Sequence, residues 1–171
     1  GLSPELADSL KDWIDSDREG AYEDSAYLSE ASPYRTANQP LATVTELARV
    51  KGYTPEALAR LLPYVTALPV AVDRRPTLIN ANTASAVVLR AVMDQSEDKV
   101  RAVIAARERE PFASADALKK PLDAVATPYV DVKTDYFLAL FTVVNGEAAV
   151  AGEALIARRK DWPAVLRVEA R

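Results

Sequence analysis

At 171 residues, 49% of them hydrophobic, and with a mean hydropathy of −0.09, the chain has apolar material for one sizeable core or two small ones. It contains no cysteine and no histidine, which excludes disulfides and thiolate metal sites and removes the commonest general base and transition-metal ligand. The net charge of −4 is uneven, because the stretch from Asp12 to Glu30 holds seven carboxylates against the single Arg18, a pattern that favours a cation site over a nucleic-acid surface.

No window approaches the roughly 18 consecutive apolar residues of a membrane helix. The sequence opens on a polar helix rather than on a basic, apolar leader, and its start on Gly1 without a methionine leads us to expect further residues upstream. Ser3 suits an N-cap, Pro4 the first helical position, and Glu5 and Asp8 the positive end of the helix dipole. Leu6, Leu10, Trp13 and Ile14 then predict a buried stripe on a helix over residues 3–14. Thr43 and Glu46 are spaced as a capping box for a helix running to Val50, with Gly52 as its left-handed terminator. Thr54-Pro55-Glu56 opens the next helix, whose Leu58, Leu61, Leu62 and Val65 repeat the spacing of the first. Residues 68–76, with two prolines and two arginines, read as an exposed linker.

In LINANTASAVVLRAVM, Asn80, Asn82 and Thr83 predict a tight turn feeding a helix to Met93, with Val87, Val88, Ala91 and Val92 on its buried face. Ser96 starts another helix, stopped by Pro111, and Ser114 with Asp116 starts a short one to about Lys120. At Pro128 the period changes from 3.6 to 2. The alternation from Tyr136 to Val144, the Asn145-Gly146 turn signal and a run from Glu147 to Ala157 predict a hairpin, and Val165 to Val168 a third strand. The expected fold class is α+β, with an all-helical domain over residues 1–127 and antiparallel strands over 128–171. Three such strands, apolar on both faces, need a cover for their sheet.

Chemistry concentrates in DWIDSDREGAYEDSAYL. Asp15, Asp17 and Glu19 alternate and are followed by Gly20, as in the first half of a calcium loop, but the twelfth position is Ala26 rather than a bidentate glutamate. Calcium accepts six to eight oxygens in flexible geometry, so Glu23 and Asp24 with backbone carbonyls are able to close an irregular site; the same cluster also reads as a solvated acidic loop. Ser114 and Asp116 have no histidine to complete a relay and there is no glycine-rich phosphate loop, so an enzyme is not expected.

Taken in order, DWIDSDREGAYEDSAYL, SPYRTANQPLATVTELARVKGYTPE, YVTALP, INANTAS and the late strands resemble the K-type minor pseudopilins of type II secretion systems, from about Leu2 to Ile156. The resemblance implies a helical domain inserted into a pilin-like sheet. It implies a calcium ion held by Asp15, Asp17, Glu23 and Asp24, and assembly with I- and J-type pseudopilins at the pseudopilus tip in the periplasm. It also implies an inner-membrane N-terminal helix lying outside this sequence. Ala81 and Ser85 depart from the residues usual at their positions in that family. The rival reading is a helix-hairpin-helix DNA-binding module. Against it, the connection Met93-Asp94-Gln95-Ser96 lacks the glycines that present amides to phosphates, and the chain is acidic.

Overall fold

The computed structural model describes residues 1–69, 76–123 and 128–170, and they fall into two compact units, Gly1–Thr77 and Leu78–Arg171. Among the described residues no helix is long and apolar enough to cross a membrane. The class is α+β. The stretch 68–76, expected as a linker, lies largely outside the described residues together with the basic pair Arg74-Arg75.

In the first unit, α1 (Glu5–Ile14) begins where the Glu5 amide donates to Ser3 Oγ at 3.4 Å, and it buries Leu6, Ser9, Asp12 and Trp13. A five-residue helix, α2 (Asp24–Leu28), follows the acidic loop. The helix expected from Thr43 is a 3-10 helix, Val44–Arg49, and no capping box forms there. Glu46 reaches past Thr43 to accept the Ala42 amide at 3.0 Å, while the Thr43 hydroxyl pairs with Thr45. Gly52 does adopt φ 87°, and Thr54 caps α3 (Pro55–Leu61) by accepting the Ala57 amide. Pro63 then tightens the chain into a 3-10 turn at Leu62–Tyr64, so Val65 lies beyond the helix. The core is Leu6, Trp13, Tyr27, Leu47, Val50 and Tyr53. Its two buried tyrosines have hydrogen-bonded hydroxyls: Tyr53 donates to Leu6 O at 2.9 Å and Tyr27 accepts the Lys51 amide at 3.1 Å.

In the second unit, β1 (Ile79–Asn80) pairs in parallel with β2 (Val130–Asp131), a pairing that the all-helical expectation for residues 1–127 did not contain. The expected domain boundary followed the change of period at 128. The compact units instead divide at 77/78, because Val130 packs in one core with Ala81, Leu89, Met93, Val100, Val103, Leu118 and Leu122. The helix expected from Asn82 starts later, as α4 (Ala86–Met93), capped by Ser85 accepting the Val88 amide. Asn80 to Thr83 form the turn before it. The buried face of α4 is Leu89 and Met93, with Val92 packed beside them. Val87, expected inside, is 52% exposed.

Next come α5 (Glu97–Arg109) and a 3-10 turn at Ala115–Lys119. Three antiparallel strands follow in order β3 (Tyr136–Asn145), β4 (Ala148–Ala157) and β5 (Ala164–Ala170). The hairpin closes on Gly146-Glu147, one residue later than Asn145-Gly146, since Asn145 pairs with Ala148 and Gly146 takes φ 62° at the first turn position. Between β4 and β5 the pairing slips at Leu155/Ile156, with Leu166 as the extra residue. The sheet leaves Leu138, Leu140, Val143, Val144, Val150 and Val168 exposed.

Candidate metal site

The acidic segment is shaped by two residues that flank it. At its start, α1 ends on Asp15, whose amide closes the helix on Lys11 O at 3.0 Å and whose extended backbone turns the chain out of the helix. The loop then folds back on α1. The buried carboxylate of Asp12 accepts the Tyr22 amide at 2.9 Å through Oδ2, and Gly20 lies directly against that carboxylate. Asp17 forms a local turn by accepting the Glu19 amide at 2.9 Å. Glu23 therefore comes back toward the helix end just before α2 begins.

This arrangement brings three of the four expected ligands together: carboxylate oxygens of Asp15, Asp17 and Glu23 all lie within 4.8 Å of one another. The fourth, Asp24, is engaged elsewhere. One of its oxygens accepts both the amide and the hydroxyl of Thr36, at 3.1 and 3.0 Å, and the other pairs with Arg35 at 2.5 Å. Burial pushes the Asp24 carboxyl up, but the hydrogen bonds from Thr36 and Arg35 outweigh it and hold it below the usual carboxylate range. It acts as a brace between α2 and the segment after it. Asp12, not singled out from the sequence, braces the other side. Nothing in its local sequence distinguishes it from the acids around it; only the return of Tyr22 does.

Glu23 is 6% exposed and neither of its carboxylate oxygens has a hydrogen-bond partner; both oxygens of Asp15 are buried without a partner as well. Burial raises the Glu23 carboxyl above its ordinary range, and the charges of Asp12, Asp15, Asp17 and Asp24 raise it further. Buried carboxylates without donors are costly, and natural structures rarely leave them so. The donor set is all oxygen, hard and anionic, which fits calcium and gives zinc little to hold. The aromatic wall behind it is Trp13 packed edge-on against Tyr27 with ring centroids 5.2 Å apart, and Tyr34 lies 5.2 Å from Tyr27.

In the second unit, Asn80 and Asn82 are structural. Asn80 accepts the Asn82 amide at 2.9 Å and donates to Thr134 at 2.6 Å. Asn82 exchanges two hydrogen bonds with the Phe112 backbone, at 3.0 and 2.8 Å. Arg107 closes the same turn by donating to Ala81 O and Ala84 O, both at 2.7 Å.

Two family profiles, each described as type II secretion system (T2SS), protein K, match residues 1–70 and 79–136. The type II secretion system protein K of Pseudomonas aeruginosa strain PAO1 is 35% identical over 97% of this chain and 50% of its own length. That of Klebsiella pneumoniae is 32% identical over 91% of this chain and 51% of its own. The chain thus spans about half the length of these relatives. Among solved structures, the GspK-GspI-GspJ complex from the enterotoxigenic Escherichia coli type 2 secretion system contains a chain that is similar with a TM-score of 0.78 and 26% identity, over 97% of this chain and 62% of that one.

Proposed function

Because the chain belongs to the type II secretion system protein K family, we propose that it is a structural subunit of the secretion pseudopilus, assembling at the tip with the I- and J-type minor pseudopilins in the periplasm. One observation carries this reading: the likeness of fold over 97% of the chain to a protein crystallised as part of a GspK-GspI-GspJ complex. In this role the subunit serves protein secretion across the outer membrane and performs no catalysis. A DNA-binding role is not favoured. At the helix-hairpin connection Asp94 occupies the left-handed conformation, so an acid stands at that turn.

The reading extends to the first unit, where Asp15, Asp17 and Glu23 would hold a calcium ion that neutralises their charge. The two unpartnered, buried carboxylates support it. The ion would tie the C-terminal end of α1 to the start of α2. Native mass spectrometry of the chain mixed with I- and J-type pseudopilins, in calcium and in chelator, tests the assembly. A ternary complex is the expected species, and a chain that stays free of both partners at tens of micromolar would sink the proposal.

A further inference from the structure

Within the first unit lies a cleft of about 680 Å³. Residues 32–39 line one side, the 3-10 helix Val44–Arg49 contributes the other, and Trp13 is part of the wall. The Tyr34 hydroxyl ties the two sides together by donating to Arg49 O at 2.9 Å. Between Pro33 and Pro40 the chain belongs to no helix or strand. Its Thr36 and Asn38 amides turn inward, donating to Asp24 Oδ1 at 3.1 Å and to Trp13 O at 3.0 Å. Among the described residues the amides of Arg35 and Ala37, which alternate with them, donate to nothing, and both residues line the cleft. One edge of the segment is thus bonded and the other open, as in the outermost strand of a sheet.

The side chains around this open edge are also incompletely matched. Arg35 is held by Asp24 at 2.5 Å, and Glu46, the acid in the lining, accepts the Ala42 amide at 3.0 Å. Arg49 has no ion-pair partner among the described residues, and the indole N–H of Trp13 is buried without an acceptor. A buried donor left unpaired is costly, and a ligand rich in acceptors removes that cost. Tyr34 is 39% exposed, and tyrosine, tryptophan and arginine are the side chains that anchor protein contacts most often.

We infer that this cleft takes an extended peptide segment of another protein, which adds a strand along Tyr34 to Ala37 and sets an acidic side chain on Arg49. The peptide main chain would accept from the Arg35 and Ala37 amides and donate to their carbonyls, a mode that gives affinity with little demand on sequence. The carboxylate at Arg49 would supply the preference. A helical ligand does not suit this edge, because its own amides and carbonyls are already paired. Pro33 and Pro40 lack an N–H and confine the pairing to the residues between them. The site is additional to the pseudopilin assembly proposed above and uses none of the Asp15, Asp17 and Glu23 cluster.

The test is fluorescence anisotropy of the full chain with a short fluorescein-labelled peptide of alternating valine and threonine carrying one central glutamate. Saturable binding is expected. Arg49→Gln should weaken it about tenfold, the loss of one charge-assisted hydrogen bond, and should leave unchanged the weaker binding of an analogue with glutamine at the centre. Ala48→Trp, which fills the cleft from the 3-10 helix, should abolish binding of both peptides. Methylating alternate amide nitrogens of the peptide should abolish binding for one set and be tolerated for the other, since only one edge of an added strand faces the protein. Absence of saturable binding, indifference to Ala48→Trp or Arg49→Gln, or the same response to both methylated sets would each overturn the inference.

Discussion

Gly20 lies so close to the carboxylate of Asp12 that a β-carbon on it would stand 2.0 Å from Oδ2, the oxygen that also accepts the Tyr22 amide. The loop has room for a hydrogen there and for nothing larger. Gly20→Ala must therefore push the loop off α1 or break the Tyr22 bond, at a cost of about 1–3 kcal/mol for an overpacked site. A lower thermal midpoint together with weaker calcium binding is expected, by calorimetry and titration. An alanine variant matching the unmutated chain in both would show that the loop does not depend on this contact.

Removal of the proposed ion should be visible in the melt. Binding to the folded state alone stabilises it by about 2.7 kcal/mol at a free concentration one hundred times the dissociation constant. The unmutated chain should melt higher in calcium than in chelator, and Asp15→Asn or Glu23→Gln should erase the difference. Asp24→Asn should behave otherwise. It loosens the bonds to Thr36 and Arg35, so it lowers both melts and keeps the calcium increment. Identical melts in calcium and chelator for the unmutated chain would return the cluster to a solvated acidic loop.

Acidity should act on the same cluster with a definite sign. The raised Glu23 carboxyl means that the folded, ion-free chain holds this proton more tightly than the unfolded chain. Its contribution therefore makes the chain less stable as pH rises from about 4, the ordinary carboxylate range, through its raised value. Asp24 has the opposite sign: its contribution is present above the ordinary range and lost as pH falls through its lowered value. In chelator, Glu23→Gln should flatten the decline seen on going from acid to neutral, and saturating calcium should flatten it in the unmutated chain. A calcium affinity that did not fall on acidification would contradict this assignment.

On the sheet, Leu138 is 55%, Leu140 63% and Val144 67% exposed, and their alternation places them on one face of β3. An apolar face of this kind drives association. Sedimentation of the chain alone should show self-association that rises with concentration, and Leu140→Lys with Val144→Lys should suppress it while leaving the melt of the first unit in place. A strictly monomeric unmutated chain would show that this face is not adhesive.

Much of this architecture was legible where a single local signal decides. Thr54-Pro55, Gly52, the alternation along β3 and the length of α5 each correspond to the element found. The face of α4 was not legible, because AVVLRAVM is apolar almost all round, and only tertiary packing selects Leu89 and Met93 over Val87. The Thr43 capping box failed for a related reason, since the spacing is right but the short 3-10 helix leaves Glu46 nearer the Ala42 amide. In the candidate site, the clustering of carboxylates is written in the sequence. The diversion of Asp24 to Arg35 and Thr36, and the arrival of Asn38 beside α1, depend on a segment that periodicity does not place.

The two-residue parallel pair between β1 and β2 sets an order on the making of the molecule. The amide of Ile79 waits for Tyr129 O, and that of Ala81 for Asp131 O, so neither partner exists until synthesis has passed residue 131. The contacts of the first unit's core are complete by Leu61. Chain growth therefore lets the first unit settle while the second still has its first strand unpaired, and a nascent chain arrested near residue 110 should already protect Trp13 and Tyr27 from solvent but leave Ile79 open to exchange.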